Sequence, residues 1–276
     1  MGGYKVTVRK ALTIAGSDSG GGAGIQADLK TFQELEVYGM SALTAVTAQN
    51  TLGVQGVYPM EAPAIIEQMR SIDADLKPDA LKTGMLFSSE IIVAVANHIA
   101  ECHWQNVVVD PVMIAKGGAS LLQQEAIAAL KEHLLPLATV VTPNIPEAEV
   151  LSGVKIETME NRKEAAKILH GLGASYVLIK GGHAREGEQM IDLLFDGGQF
   201  VEFTSQKVNT VNTHGTGCTY SAAITAELAK GQSVHKSIGV AKEFIQAAIE
   251  DDLHIGAGHG PTNHWAYKRR GALQTK

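Results

Sequence analysis

The feature that most limits the fold is a regular alternation of short apolar runs with longer amphipathic runs, which continues as far as Lys180. The short runs are rich in Val, Ile, Leu and Ala, and they are typical of buried strands: Ala11–Ala15, Ala42–Thr47, Asp79–Thr83, Asn106–Asp110, Thr139–Thr142 and Tyr176–Lys180. The longer runs carry apolar residues at helical spacing: Ile25–Glu36, Pro63–Ala74, Ser89–Glu101, Leu121–Leu134, Ile145–Ser152 and Arg162–Leu172. This alternation predicts βαβ units, and therefore an α/β fold whose mostly parallel sheet is covered by helices on both faces.

Beyond Lys180 the pattern changes. Met190–Phe195 and Gln199–Thr204 flank Asp196-Gly197-Gly198, which predicts an antiparallel hairpin at the sheet edge. Two helices are expected at Gly217–Lys230 and Ser233–Asp252, and the Gly-rich tail from Gly256 is expected to be a loop. No linker divides the chain, so we predict one domain over 11–276, with 1–10 as a flexible extension. In open α/β sheets, ligands bind beyond the carboxyl ends of the strands.

Composition excludes several classes of function. The 276 residues include 23 basic and 29 acidic side chains, a net charge of −6, so non-specific nucleic-acid binding has no electrostatic support. Two cysteines do not make a disulfide framework, which favours a reducing, cytoplasmic location. The first residues lack an apolar signal region, and no apolar run is long enough to predict a membrane span.

The segment Thr213–Thr219, with the sequence Thr-His-Gly-Thr-Gly-Cys-Thr, opens one of the predicted helices. Free N–H groups and the positive end of the helix dipole make such a start an anion site. Gly215 and Gly217 allow close approach of a ligand, and Cys218 lies on the first turn, where the pKa of a thiol is lowered. Cys218 is therefore a candidate base or nucleophile. The alternative is a glycine-capped core helix with a buried cysteine.

Other polar segments follow predicted strands. The loop from Gly16 to Gly24 is neither a Walker A loop nor a dinucleotide fingerprint, and it fits either a small substrate or a capped helix start. Asp28, on the following helix, is expected to turn inward as a hydrogen-bond partner. Gln49 presents a donor beside an acceptor, as an aminopyrimidine would require, although a turn fits its segment equally well. Met85 contacts a ring or packs in the core.

Candidates for phosphate and metal binding follow three later strands. Asp110 ends one of them, and Lys180 ends another, where its charge would neutralise a phosphate. Asn144 and Glu147 lie three residues apart at a helix start. Carboxylate oxygens suit Mg²⁺, which takes one or two carboxylates plus waters and phosphate. The alternative for Asn144 and Glu147 is a simple helix cap.

Taken in order, these groups resemble the hydroxymethylpyrimidine and phosphomethylpyrimidine kinases, ribokinase-like enzymes of thiamine biosynthesis. The resemblance runs from about Ala11 to Thr262. It rests on these segments: Ala15–Asp18, Gly22–Asp28, Thr47–Thr51, Lys82–Met85, Asp110–Met113, Thr142–Asn144, His214–Cys218 and Gly258–Asn263.

The resemblance implies a ribokinase-like three-layer sandwich and a homodimer. It also implies transfer of the γ-phosphoryl group of ATP, with Mg²⁺, to 4-amino-5-hydroxymethyl-2-methylpyrimidine and then to its monophosphate. The matching pyrimidine-pocket residues are Gly16, Asp28, Gln49 and Met85. Those implied for ATP are Asp110, Thr142, Asn144, Lys180, Thr213 and Thr216, with Asp110 and Glu147 serving the metal. Gly215, Gly217 and Cys218 would form the anion hole and supply the base, and we expect the pKa of Cys218 to be lowered toward 7.

Other functions remain open at this stage. Pyridoxal kinases share this skeleton, and some relatives active on pyridoxal carry a cysteine where this chain has Ala115, in a flap around Lys116. That difference and Gln49 favour the pyrimidine. A dinucleotide-dependent oxidoreductase is supported only by the α/β pattern and the glycines. A non-catalytic pyrimidine-binding regulator is disfavoured by the intact Gly-Thr-Gly-Cys and Asn-x-x-Glu groups.

Overall fold

The predicted strands belong to a single sheet. The computed structural model describes residues 7–113, 124–182 and 189–274. Its strands are β1 Lys10–Asp18, β2 Tyr38–Asn50, β3 Gly53–Pro59, β4 Ala80–Thr83, β5 Val107–Val109, β6 Val140–Val141, β7 Tyr176–Ile179, β8 Gln189–Phe195 and β9 Phe200–Gln206. Across these described parts the strand order is β3-β2-β1-β4-β5-β6-β7-β8-β9. The six neighbouring strands β2, β1, β4, β5, β6 and β7 pair in parallel. Strand β3 at one edge, and β8 and β9 at the other, pair antiparallel.

The helices occupy the connections between strands, as the alternation predicts. They are α1 Gly24–Glu34, α2 Ala62–Asp75, α3 Ser89–Glu101, α4 Gln124–Ala129, α5 Ile145–Ser152, α6 Met159–Gly171, α7 Thr216–Ala229, α8 Val234–Glu250 and α9 Ala266–Gln274. A π-helical turn, Leu130–Leu134, and a 3-10 turn, Leu135–Leu137, continue α4. In the parts of the chain that the structure describes, no helix has the length and apolar character needed to cross a membrane.

Each central strand packs on both faces because successive side chains point to opposite sides of a sheet. In β1, Leu12 and Ile14 join the apolar layer of α2–α6, whereas Ala11 joins the layer of α1, α7 and α8. Helix α7 lies within the second layer, and its residues from Thr219 to Ala229 are all buried. A helix that is apolar on all sides is expected to be buried in this way. The result is the expected three-layer sandwich.

Three details differ from the sequence-based expectations. Strand β3 was not expected, because Gly53 and Gly56 interrupt its apolar alternation; it pairs with β2, so Gln49 lies in a strand rather than a turn. The tail contains α9, which is amphipathic only weakly and is held by Arg270, whose Nη1 donates to Glu250 Oε2 at 2.6 Å. The proposed flexible extension is too long, because Lys10 begins β1 and Arg9 pairs with Asp79 at 3.1 Å.

The strand order fixes where a site can form. The chain leaves β1 toward β2 on one side, but β4 lies on the other side of β1, so the order reverses between β1 and β4. A crevice opens at such a switch point, beyond the carboxyl ends of the strands. The loop after Asp18 and the segment after Thr83 therefore face the same crevice.

Candidate active site

A pocket of about 430 Å³ lies beyond the carboxyl ends of β1, β4, β5, β6 and β7. Its lining brings together residues from every segment singled out in the sequence except the terminal one. The predicted residues that line it are Gly16, Gln49, Met85, Asp110, Asn144, Glu147, Lys180, Thr213, Gly215, Thr216, Gly217 and Cys218. Asp28 and Thr142 do not line it. The proposed flap around Lys116, including Ala115, lies outside the described residues.

One end of the pocket is suited to a flat heterocycle. Gln49 follows a break in register between β2 and β3, and such an irregularity turns a side chain out of the regular pleat. In the same pocket, Met85 packs with Ala45 and Val112 to form a small apolar cluster. Gly16 is required there, because a Cβ atom would lie 2.5 Å from Met85 Cε. An amide facing apolar walls can recognise a ring by its edge and hold it by its faces.

The other end of the pocket contains a lysine and a carboxylate in direct contact. Lys180 Nζ donates to Asp110 Oδ1 at 3.0 Å, and Ser221 Oγ donates to Asp110 Oδ2 at 3.2 Å. Burial alone would raise the pKa of Asp110, but Lys180 and Lys82 hold it below its ordinary value. Thr142 is buried behind this pair, with its Oγ1 3.3 Å from Asp110 Oδ1, so it acts on Asp110 rather than on the pocket.

Asn144 and Glu147 form both the helix cap and part of the pocket wall. Asn144 Oδ1 accepts the N–H of Glu147 at 2.9 Å, and Glu147 Oε2 accepts the N–H of Asn144 at 2.8 Å. This is a capping box at the start of α5. Burial, together with the charge of Asp110, raises the pKa of Glu147 to about 7. The two readings of this motif are therefore compatible, because the cap holds Glu147 in a buried position facing Lys180 and Asp110.

The two glycines of the Gly-Thr-Gly-Cys segment serve different purposes. Gly215 caps α7 with φ of +81°, and a Cβ atom there would lie 1.7 Å from Gly22 O. It is thus required for contact between two backbone segments. Gly217 faces the pocket, where a Cβ atom would lie 3.4 Å from Lys180 Nζ and 3.8 Å from Asp110 Oδ2. The amides of Gly217 and Cys218 lie in the first turn, where α7 offers no acceptor, so the segment can receive an anion.

Asp18 and His214, which the sequence analysis left without a role, join these two backbone segments. Asp18 accepts the N–H groups of Gly20 at 2.8 Å, Gly22 at 3.0 Å and Ala23 at 2.8 Å. Its Oδ2 also lies 2.8 Å from His214 Nε2. The only signal in the sequence was that each residue belongs to one of the conspicuous segments, because the two are 196 positions apart.

Asp28 is placed differently from the expectation that it contacts substrate. It is fully buried, and it accepts from Lys82 Nζ at 2.8 Å and from Thr13 Oγ1 at 2.6 Å. Lys82, rather than Asp28, reaches the pocket. Burial by itself would lower the pKa of Lys82, but nearby negative charges, above all Asp28 and also Asp110, raise it to about 12. Lys82 therefore supplies a fixed positive charge beneath the pocket.

The predicted lowering of the Cys218 pKa is wrong for the protein without ligands. Burial raises the pKa of Cys218 to about 11, and the charges of Asp28 and Asp110 add to this effect. Lys82 and the N–H of Gly24 act in the opposite direction but are outweighed. The helix start alone did not reveal this balance, because the two carboxylates come from distant parts of the chain. Cys218 is a thiol in the resting protein.

Comparison with known proteins identifies the family. A family model described as phosphomethylpyrimidine kinase matches residues 18–263. The chain belongs to this family. It is 57% identical to a hydroxymethylpyrimidine/phosphomethylpyrimidine kinase of Bacillus subtilis over 264 residues, which cover 96% of this chain and 97% of the relative. The expected family, its fold and its class of enzyme, a phosphotransferase, are confirmed.

The chain is also similar to proteins named for another vitamin. A pyridoxine kinase of Bacillus subtilis is 49% identical over 266 residues, covering 95% of this chain and 98% of the relative. The solved structure of the Staphylococcus aureus pyridoxal kinase in complex with AMP-PCP and pyridoxal superposes with a TM-score of 0.88. That match has 41% identity and covers 95% of this chain and 96% of the other. These similarities support a kinase and not the alternative of a dinucleotide-dependent oxidoreductase.

Proposed function

We propose that this kinase transfers the γ-phosphoryl group of ATP to 4-amino-5-hydroxymethyl-2-methylpyrimidine, and then phosphorylates the monophosphate to the diphosphate. The observation that carries the proposal is the pairing, within one pocket, of an amide at an apolar slot with an anion site at the start of α7. Phosphoryl transfer depends mainly on positioning and on charge stabilisation, and both are available here.

The charged end of the pocket suits the polyphosphate and its metal ion. Lys180 and the amides of Gly217 and Cys218 would stabilise negative charge on the transferred group, with Thr213 and Thr216 beside them. Asp110 and Glu147 are buried carboxylates close to Lys180, and this donor set suits Mg²⁺ bound through water and phosphate. When bound, Mg²⁺ would supply positive charge that offsets the charge of the polyphosphate. In the described residues no cluster of three His, Cys, Asp or Glu side chains could hold a metal alone.

Cys218 is proposed to accept the proton of the substrate hydroxyl late in the transfer. Two of the groups that raise its pKa are Asp28 and Asp110. Asp28 is already paired with Lys82, whereas Asp110 is where phosphate and cation charges would be added. A cation bound at Asp110 would offset one of these negative charges and lower the pKa of Cys218, whereas phosphate charge would raise it.

A second substrate is pyridoxal, supported by the 49% identity to a pyridoxine kinase. The test is ADP release with Mg²⁺-ATP, measured in parallel for hydroxymethylpyrimidine, its monophosphate and pyridoxal. We expect turnover of both pyrimidines and at least about tenfold lower kcat/KM for pyridoxal. The pyridoxal ring has no amino group beside its ring nitrogen, and Gln49 is proposed to recognise that pair of groups. A preference for pyridoxal would refute the proposed substrate, and ATP hydrolysis independent of either ring would refute the proposed site.

We also expect a homodimer in the cytoplasm. The β2–β3 hairpin exposes Val46, Leu52 and Tyr58 at an edge strand, where a second copy would cover them. Cys102 and Cys218 are free thiols, as in a reducing compartment. Light scattering of the wild type and of Tyr58→Asp would test the interface. A monomeric wild type would refute the dimer.

A further inference from the structure

The Gln49 amide lies between two protein groups that restrict its orientation. Its Nε2 atom is 3.4 Å from His214 Nε2, and its Oε1 atom is 3.1 Å from Thr47 Oγ1. Rotating the amide by 180° exchanges its oxygen and nitrogen while keeping both neighbours. The protons on His214 and Thr47 therefore decide which orientation is stable.

The proton on His214 is fixed by Asp18. The Asp18 carboxylate accepts three backbone N–H groups, and its Oδ2 lies 2.8 Å from His214 Nε2. Burial would raise the pKa of Asp18, but the hydrogen bonds from His214 and from Ala23 hold it below its ordinary value. An ionised carboxylate only accepts hydrogen bonds, so His214 Nε2 must carry a proton. The same nitrogen lies 3.4 Å from Gln49 Nε2, so the Gln49 amide meets a donor there rather than an acceptor.

The proton on Thr47 is fixed by Ser17. A hydroxyl has one proton, and Thr47 Oγ1 donates it to Ser17 O at 2.9 Å. The lone pairs of Thr47 Oγ1 remain free to accept from Gln49. With the amide nitrogen toward His214, two N–H groups would oppose each other and the Thr47 proton would be shared between two carbonyl oxygens. With the carbonyl toward His214, every group has a partner of the right kind.

We propose that His214, held by Asp18, is a positioning residue that fixes the Gln49 amide with its carbonyl oxygen on the His214 side and its NH₂ group on the Thr47 side. The amide then presents its acceptor on the His214 side and its donors on the Thr47 side, and this order determines the orientation in which a ring can bind. His214 thus acts on the ring through Gln49 and is a determinant of substrate orientation.

For the substrate, this inference rests on the proposed function. The Gln49 carbonyl would accept from the ring amino group, and the Gln49 NH₂ would donate to the neighbouring ring nitrogen. In hydroxymethylpyrimidine the CH₂OH group is attached to the carbon next to the one that bears the amino group. It therefore lies on the amino side, which is the His214 side, next to Gly215 and Cys218. The opposite amide orientation would direct the CH₂OH group toward Thr47, away from the anion site.

A double-mutant cycle separates this role from a purely structural one. His214→Phe retains a ring and removes the N–H, whereas His214→Gln places a donor near the same position. We expect His214→Phe to raise KM for hydroxymethylpyrimidine about tenfold. In the Gln49→Ala background the same change should alter KM less than about twofold, and His214→Gln should restore most of the loss. KM for ATP reports any loosening of the two segments, and it should change by the same factor in the two backgrounds, because that effect does not pass through Gln49.

Equal rises in KM for hydroxymethylpyrimidine in the wild-type and Gln49→Ala backgrounds would overturn the proposal. If His214→Phe does not fold, nitrogen-15 NMR of the wild type labelled at histidine decides the question. A proton on His214 Nε2 is expected, and an unprotonated Nε2 would overturn the inference. Wild-type turnover of the pyrimidine, measured before any variant is made, tests the proposed function by itself.

Discussion

Replacing Gly215 with alanine tests the claim that the anion site depends on contact between two backbone segments. The positive φ of +81° costs an alanine about 1 kcal/mol. The new Cβ atom would also lie 1.7 Å from Gly22 O, and a real contact needs at least about 3.0 Å. The segments before α1 and α7 must therefore separate by more than about 1 Å, which is enough to reduce catalysis about 100-fold.

Gly231 provides a matched control. It has the same φ of +81°, but a Cβ atom there would meet nothing within 4 Å. Gly231→Ala should lower Tm by about 2–4 °C through backbone strain alone, with kcat/KM unchanged. Gly215→Ala should lower Tm by more than about 6 °C and kcat/KM by about 100-fold or more.

The assay is differential scanning calorimetry combined with coupled ADP release at saturating Mg²⁺-ATP. Equal changes in Tm for the two alanine variants would show that contact with Gly22 O contributes nothing beyond φ. Near-normal kcat/KM in Gly215→Ala would refute the link between this contact and the geometry of the anion site. Loss of activity in Gly231→Ala would remove the control, since that glycine lies outside the pocket.

Three further predictions follow from buried charges. The pKa of Glu147 rises from 4.5 to about 7, so the folded state holds this proton more tightly than the unfolded chain. The resulting stabilisation, about 3 kcal/mol at most, is complete below pH ~4.5 and is lost as pH rises through ~7. Urea titrations at pH 5 and 8 should show that loss of unfolding free energy in the wild type but not in Glu147→Gln. An equal change with pH in the two proteins would contradict the prediction. Asp28→Asn should lower the free energy of unfolding by about 3–5 kcal/mol by leaving Lys82 unpaired, and Asp28→Leu combined with Lys82→Met should recover most of it. With Cys102 replaced by alanine, alkylation of Cys218 by iodoacetamide should accelerate up to pH ~11, whereas a plateau near pH 7 would mean a resting thiolate.

The sequence predicted most of the architecture because the relevant signals are local. Apolar runs located the central strands, and the bounds of α3 and α5 agree with the expected Ser89–Glu101 and Ile145–Ser152. Strand β3 was not predicted, because its stability comes from pairing with β2 rather than from its own apolar pattern. Helix α9 escaped because packing against α8, rather than strong amphipathic character, holds it in place.

The site was less predictable, because its electrostatics depend on contacts between distant segments. The first turn of α7 by itself favours a thiolate, but Asp28, Asp110 and burial reverse the direction of the Cys218 pKa shift. In the same way, Asp28 on α1 was expected to contact the substrate, but it pairs with Lys82, and Lys82 is the residue that lines the pocket. Sequence motifs identified which residues meet but did not show which of them face the ligand.

The structure also changes the interpretation of the glycines. Gly217 faces the pocket, but Gly24 and Gly215 are required because backbone packs on backbone: their added Cβ atoms would lie 2.3 Å from Gly16 O and 1.7 Å from Gly22 O. Gly22 is required because an added Cβ atom would lie 2.5 Å from the His214 ring. Asp18 and His214 hold the same two segments together through hydrogen bonds. The ring-binding side and the anion site are therefore a single packed unit, and a change in the spacing of the segments alters both. In the proposed transfer, this coupling would let a loop that carries no phosphate-binding fingerprint affect how accurately the hydroxyl group meets the phosphoryl group.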